Sequence, residues 1–306
     1  MGFNTAGLTA YIEDQDFALM AQMQATGDLA DIANIQTGVK GSTHLQFLTT
    51  DVVFAADACS RSAADTTTFS QRTLVVGAIQ ISENLCPKDL NGFWTQTLVK
   101  IGKAGEEELP AGIEGVWADK KMNAIKNQLA ISDIQGDLLS ATNNLSYYDG
   151  LLVNVDADGT VVNYNNGETD ITVANVISIL QGMWLELPDN MMNMMNVSFL
   201  VGWDTYQLYV NALINANLFH YKGEDGVTKL HGTNVSIKPM TGFTGTKRIV
   251  LTNEDNLTVG MDGSDDDSLE VWYSQDDRVV KFNTNFKRGI QHAFGNQIVE
   301  FTKTIS

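Results

Sequence analysis

Basic residues and cysteine are both scarce in this chain of 306 residues, and each shortage excludes something. Nineteen Lys and Arg stand against 37 Asp and Glu, a formal net charge of −18. A dedicated nucleic-acid binder gains affinity by neutralising phosphates, so this balance argues against one. It leaves room for a container that encloses DNA without gripping it. The two cysteines, Cys59 and Cys86, form no CxxC pair and no metal spacing. They read as small thiols in a reducing cytoplasm. No apolar run approaches the roughly 18 residues of a membrane span. The N-terminal stretch MGFNTAGLTAYIEDQDFALM has no basic segment leading into an apolar one, so no signal peptide is expected. Gly2 lacks the Ser or Thr at residue 6 that myristoylation wants, because Ala6 stands there.

Catalytic and ligand-binding signatures are equally thin. No GxxxxGK phosphate loop occurs. The histidines His44, His220, His231 and His292 are scattered without a His-x-x-x-His pair, and each reads as a surface or satisfied core residue. No cofactor and no metal are expected.

The hydrophobic share of 43% suffices for a substantial core. Asp14 to Gly27 reads as a short helix in an irregular arm, and 28–43 as extended and loosely held. Gln46 to Phe54 alternates as one strand, and Thr68 to Ile81 as a second. Between them the tip CSRSAADTTT carries no bulky apolar residue. The whole is a long β-hairpin, and such a ribbon is marginal alone in water. If it turns near Ala63, Cys86 lies opposite about residue 40. Cys59 is then ~60 Å away along the ribbon, far beyond the roughly 7 Å a disulfide allows. The two cysteines are therefore not expected to bridge.

Further along, Glu106 to Gln135 is mostly helical, with Val116, Trp117, Met122, Ile125 and Leu129 as an apolar stripe. Lys120, Lys121 and Lys126 lie off it as a solvated face. Val173 to Leu187 is an amphipathic helix ended by Pro188. The methionines between Met191 and Met195 read as loop and core filler, or as adaptable packing between subunits. Val197 to Val201 is a strand, and Asp204 is expected to cap the helix bearing Tyr206, Tyr209 and Leu213. Strands at Ile249–Leu251, Leu257–Val259, Leu269–Tyr273, Val279–Phe282 and Gln297–Phe301 read as a closing antiparallel sheet. The run Asp265 to Asp267 is one of their separators.

One segment invites an enzymatic reading. LLVNVDADGTVV, Leu151 to Val162, resembles the DxDGT motif of haloacid-dehalogenase-type phosphatases. There Asp156 would attack phosphorus and Asp158 act as general acid with Mg²⁺. That chemistry needs a parallel strand feeding a loop and helix. Here Asp-Gly between two β-branched runs reads as a hairpin turn. A calcium loop fails as well, since position twelve from Asp156 is Gly167.

The order of segments, arm, long hairpin, long helix, central α/β block and C-terminal sheet, is that of an α+β protein. Particular residues narrow it. Thr68 to Ile81 running into Leu85 to Leu90, then Gly232 to Asp262 with GTKRIVLTNEDNLTVGMD, then Arg278 to Phe282 with Phe286 to Gly289, resemble the major capsid proteins of tailed bacteriophages. The resemblance covers most of the chain from the hairpin onward. It implies an N-terminal arm (1–35), an extended loop (36–88), a peripheral domain with a long spine helix (89–140 and 250–306) and an apical domain (141–249). It implies no enzyme, but a subunit that forms pentamers and hexamers around double-stranded DNA in a phage head, put together in the host bacterial cytoplasm. The partners would be further copies of itself, a portal, a separate scaffolding protein and possible decoration proteins, with no membrane. Assembly would draw on the loop residues Ala58, Arg61, Asp65, Thr67 and Arg72. The alternative on the same fold is an encapsulin-like nanocompartment shell.

Overall fold

The computed structural model describes residues 27–54, 66–85, 113–168, 170–189, 191, 196–217, 229–262, 268–277 and 279–302. The expected N-terminal helix, the hairpin tip, both cysteines, His220 and the Asp265–Asp267 run lie outside them.

Strands β2 (Ser42–Asp51) and β3 (Thr66–Val75) form an antiparallel ribbon in register from Ser42 opposite Val75 to Asp51 opposite Thr66. The pairing ends at Asp51 opposite Thr66, and the turn expected near Ala63 lies outside the described residues. The second strand is shorter than the sequence pattern suggested. After Val76 the chain leaves the ribbon, and β4 (Gly77–Leu85) pairs instead with β11 (Val279–His292), Leu85 facing Val280 and not residue 40. The reason is cover. Ile79, Ile81 and Leu85 alternate toward a cluster of Ile125, Leu129, Val280, Phe282 and Phe286 that a free ribbon could not provide. The crossing is tight. A Cβ on Gly77 would sit 1.9 Å from the Tyr147 carbonyl oxygen, and one on Gly289 2.0 Å from that of Val75.

β11 is the spine of the first sheet. One edge pairs with β4. The other pairs with β10 (Ser268–Ser274) and then with β9 (Leu257–Met261). β1 (Asn34–Gln36) adds to β9 in parallel. Residues 28–43 are thus anchored and not loosely held: Leu29 and Val39 are buried, and Gly38 and Val39 donate backbone hydrogen bonds to Asp262 and Met261. Helix α1 (Ile113–Gln135) lies on this sheet through Met122, Ile125 and Leu129. Lys120 is exposed as expected. Lys121 is not simply solvated, since it bridges Glu83 and sits 5.4 Å from the Phe282 ring centroid.

The second sheet runs β5 (Val162–Tyr164), β12 (Ile298–Phe301), β8 (Ile249–Asn253), β6 (Val197–Gly202), β7 (Ser236–Met240). Both of its faces are covered, so β6 and β12 are buried at every position. Phe199, Val201, Leu251 and Phe301 pack toward α3 (Val176–Leu185) and α4 (Trp203–Asn215). Leu200, Val250 and Ile298 pack toward α2 (Leu151–Ala157) and the end of α1. The C-terminal strands therefore do not make one antiparallel sheet. They divide between two sheets, the first containing one parallel pair and the second two.

Two local expectations fail. Leu151 to Val162 is a helix and a separate strand, not a hairpin. Leu151, Leu152 and Val155 fall on one helical face and are buried together, and that burial overrides the β preference of the valines. β5 then pairs in parallel with β12, far away in sequence. Asp204 does not cap α4. Gly202 occupies the cap position, and Asp204 accepts a hydrogen bond from the Gly245 backbone N–H.

Candidate assembly surfaces

The ribbon has two unlike faces. On one, Leu45, Phe47, Arg72 and Leu74 lean on the body: Leu74 is fully buried with Val39 and Val76, and the Phe47 ring lies 5.0 Å from that of Phe294. On the other, Leu48 stands directly opposite Phe69, and these side chains are 56% and 83% exposed. An apolar cross-strand pair contributes through contact and burial, and this one has no cover. Beyond β2 the exposed run continues through Val52, Val53 and Phe54, the last 96% exposed. Covering a Leu or Phe is worth ~1.5–3 kcal/mol each. Together these residues make a contiguous exposed apolar face on the ribbon, larger than isolated surface hydrophobics.

At its base the ribbon is held by charge. Arg72 Nη1 lies 2.7 Å from Asp158 Oδ2, and His292 Nε2 lies 2.9 Å from the same oxygen. Asp158 also accepts from the Thr160 backbone N–H and hydroxyl, at 2.9 and 2.7 Å. Partial burial opposes its ionisation, but the bonds from His292, Thr160 and Arg72 prevail and hold its carboxyl well below the usual range. Burial depresses His292 below its ordinary value despite the bond to Asp158, so the ring is neutral at pH 7.

The body carries a second charged core. Arg288, buried at the centre of β11, donates Nε and Nη2 to Asp133 of α1 at 2.8 and 2.5 Å. The Tyr148 hydroxyl donates to the same carboxylate at 2.6 Å. Burial, then Asp133, push the Tyr148 phenol well above its ordinary value, so it remains a donor. This network ties helix, sheet and the loop after the helix together.

Of the five residues singled out for assembly, Ala58, Arg61 and Asp65 lie outside the described residues. Thr67 is exposed on the same face as Phe69. Arg72 faces inward to Asp158, an inter-element role that sequence could not reveal. Leu48 and Phe69 were not singled out from the sequence, although their alternation within a ribbon too thin to bury both faces signalled an exposed apolar pair.

The phosphatase reading of Asp156 and Asp158 meets a different geometry. Asp156 lies near the end of a helix and binds Arg248 through both oxygens, at 2.9 and 2.5 Å. Arg248 also binds the buried Glu300, whose carboxyl burial pushes up. Each aspartate is thus engaged by a different arginine, Asp156 by Arg248 and Asp158 by Arg72, and Asp156 sits near the end of a helix and not at the end of the parallel strand that the motif needs. Among the described residues no cluster of His, Cys, Asp or Glu could hold a metal ion, and no helix is long and apolar enough to cross a membrane.

No family model and no curated protein matches the chain. Solved structures do. The satellite phage P4 procapsid, including its size determination protein, matches with a TM-score of 0.63 at 10% identity, covering 94% of this chain and 90% of that one. The capsid of an empty GTA particle matches with a TM-score of 0.57 at 13% identity, covering 91% and 90%. A virus-like particle from Pyrococcus furiosus matches with a TM-score of 0.51 at 9% identity, covering 93% and 96%. Likeness over nine-tenths of both chains at such identities is likeness of fold, and this α+β chain has the fold of phage capsid proteins.

Proposed function

We propose that the protein is the shell-forming subunit of a tailed-phage head, assembling into pentamers and hexamers that close around double-stranded DNA. The carrying observation is the ribbon: a long two-stranded arm whose outer face displays Leu48 and Phe69 on a body that offers them no cover. A second copy of the chain would bury them, so that folding and assembly share one apolar surface. The capsid fold supports this reading, and the acidic balance suits a wall that must enclose DNA without binding it tightly.

In this reading residues 1–35 are the arm and 36–88 the extended loop. Residues 89–140 with 250–306 make the peripheral domain, and 141–249 the apical one. The sheet of β5, β12, β8, β6 and β7 would then join the last two, because β8 and β12 come from the C-terminal part. A portal and scaffolding protein belong to the same proposal, as do location in the virion and assembly in the bacterial cytoplasm. No chemistry is required of the subunit.

Negative-stain microscopy of the purified protein, with and without co-expressed scaffold, tests it. Closed shells or ring-shaped capsomers are expected. Leu48→Ser with Phe69→Ser should melt like the parent and yield at least tenfold fewer shells, since each lost contact is worth more than 1.4 kcal/mol. Monomers alone at high concentration, or full yield from the double variant, would overturn the proposal.

A further inference from the structure

Three distant elements meet under the ribbon: Arg72 from β3, Asp158 from the turn after α2, and His292 from the end of β11. His292 Nε2 lies 2.9 Å from Asp158 Oδ2 and 2.5 Å from Arg72 Nη1, so it stands between an acceptor and a donor. The opposite ring nitrogen is Nδ1. His292 is fully buried, and Nδ1 has no hydrogen-bond partner. The neighbours that complete the contact are polar or aromatic. Gln291 donates to the Thr73 carbonyl at 3.1 Å, and Phe294 carries Phe47. The charged groups facing the ring are Arg72 on the ribbon and Asp158 on the turn; its own strand adds none at this end.

We infer that Arg72, Asp158 and His292 form a proton-sensitive latch that fixes the direction of the ribbon relative to the body. Arg72 is its positioning residue. It holds the inner face down, so that Leu48 and Phe69 on the outer face point at a defined angle. The inference rests on the assembly reading for its purpose, but not for its operation.

Acid opens the latch. A doubly protonated His292 carries a hydrogen on both ring nitrogens, Nδ1 without an acceptor and Nε2 facing Arg72, and places a buried positive charge beside that guanidinium. The ring is neutral when latched and its folded pKa lies below the ordinary value near 6.5. The unlatched form therefore binds more protons. The latched state is fully favoured above about pH 6.5 and loses ground as pH falls from there toward the depressed folded value. Asp158 is held far lower and stays charged through that window.

The latch can be tested on the dilute, unassembled subunit, so that failure to form shells would bear on the assembly reading alone. Spin labels are placed at Thr67→Cys on the ribbon and Ala174→Cys on the body, both exposed, with Cys59 and Cys86 changed to Ser. One narrow distance distribution is expected at pH 7.5, and a second, reversible population at pH 5.5. His292→Gln keeps an N–H donor for Asp158 but cannot titrate, so it should stay narrow at both pH values. Arg72→Ala should be broad at both. An unchanged parent distribution between the two pH values overturns the latch, as does a narrow Arg72→Ala. A parent-like pH response in His292→Gln overturns it too. Should His292→Gln fail to show a cooperative melt, His292→Asn is judged by the same criterion. The half-exposed Arg72→Ala decides if neither folds.

Discussion

Asp133 and Arg288 show what a single buried pair does in this fold. Each is almost wholly removed from water, and neither could be there without the other. Breaking such a pair leaves an uncompensated charge and costs about 3–5 kcal/mol, whereas the intact pair contributes far less than its Coulomb energy implies. Asp133→Ala is therefore expected to lower the unfolding free energy of the unassembled subunit, measured by urea titration, by that amount, a large fraction of a typical stability of about 5–15 kcal/mol. Tyr148→Phe removes one hydrogen bond to the same carboxylate and keeps the charge paired. It should cost about 1.5–3 kcal/mol. Equal losses from the two variants would show that the charge pair carries nothing beyond a hydrogen bond. None of these partners was legible in the sequence. Asp133 and Arg288 are 155 residues apart, and nothing local to either announces the other.

Elements were legible where their reason was local. The alternation of Gln46 to Asp51 and of Thr68 to Val75 belongs to the chain itself, and β2 and β3 follow it. The three-and-four spacing of Met122, Ile125 and Leu129 gives α1 in the same way. Legibility failed where a distant surface decided. The pattern from Thr68 to Ile81 runs on without a break, yet β3 and β4 belong to different sheets, because β11 arrives to cover the second half. Leu151 to Ala157 has the composition of a strand and becomes a helix, because one helical face meets the core under β8 and β12. At the point where the ribbon leaves the body the decisive residues are those without side chains. Gly289 lies against the Val75 backbone, so Gly289→Ala must push two strands apart and should cost about 1–3 kcal/mol, as overpacking does. The thermal midpoint checks the cost. The spin-label distance from Thr67 should shift as well, because the added methyl group acts at the root of the ribbon. A parent-like distance would mean that the root yields elsewhere.

Across the whole molecule, the proposed shell raises the question of what would hold one copy to the next once the ribbon docked. Some proteins of the resembled family lock their shells with an isopeptide bond from a lysine on the extended loop to an asparagine on a neighbour. That step needs a neutral amine as nucleophile and a carboxylate to receive its proton. No lysine occurs between Lys40 and Lys88, so the ribbon and its tip have no amine to offer. Arg61 and Arg72 cannot substitute, since a guanidinium stays protonated, and Arg72 is already committed to Asp158. In the proposed shell, cohesion would then come from many small contacts of the Leu48 and Phe69 kind. Each would be worth a few kcal/mol at most, and together they would suffice because every subunit of the proposed shell would make them with its neighbours. Contacts of that nature do not survive boiling in detergent and reductant. Particles so treated should run as a single band at the mass of one chain. A ladder of pentamers and hexamers, with a linked peptide mapping to residues 41–87, would show that a covalent lock exists and that its nucleophile is something other than lysine.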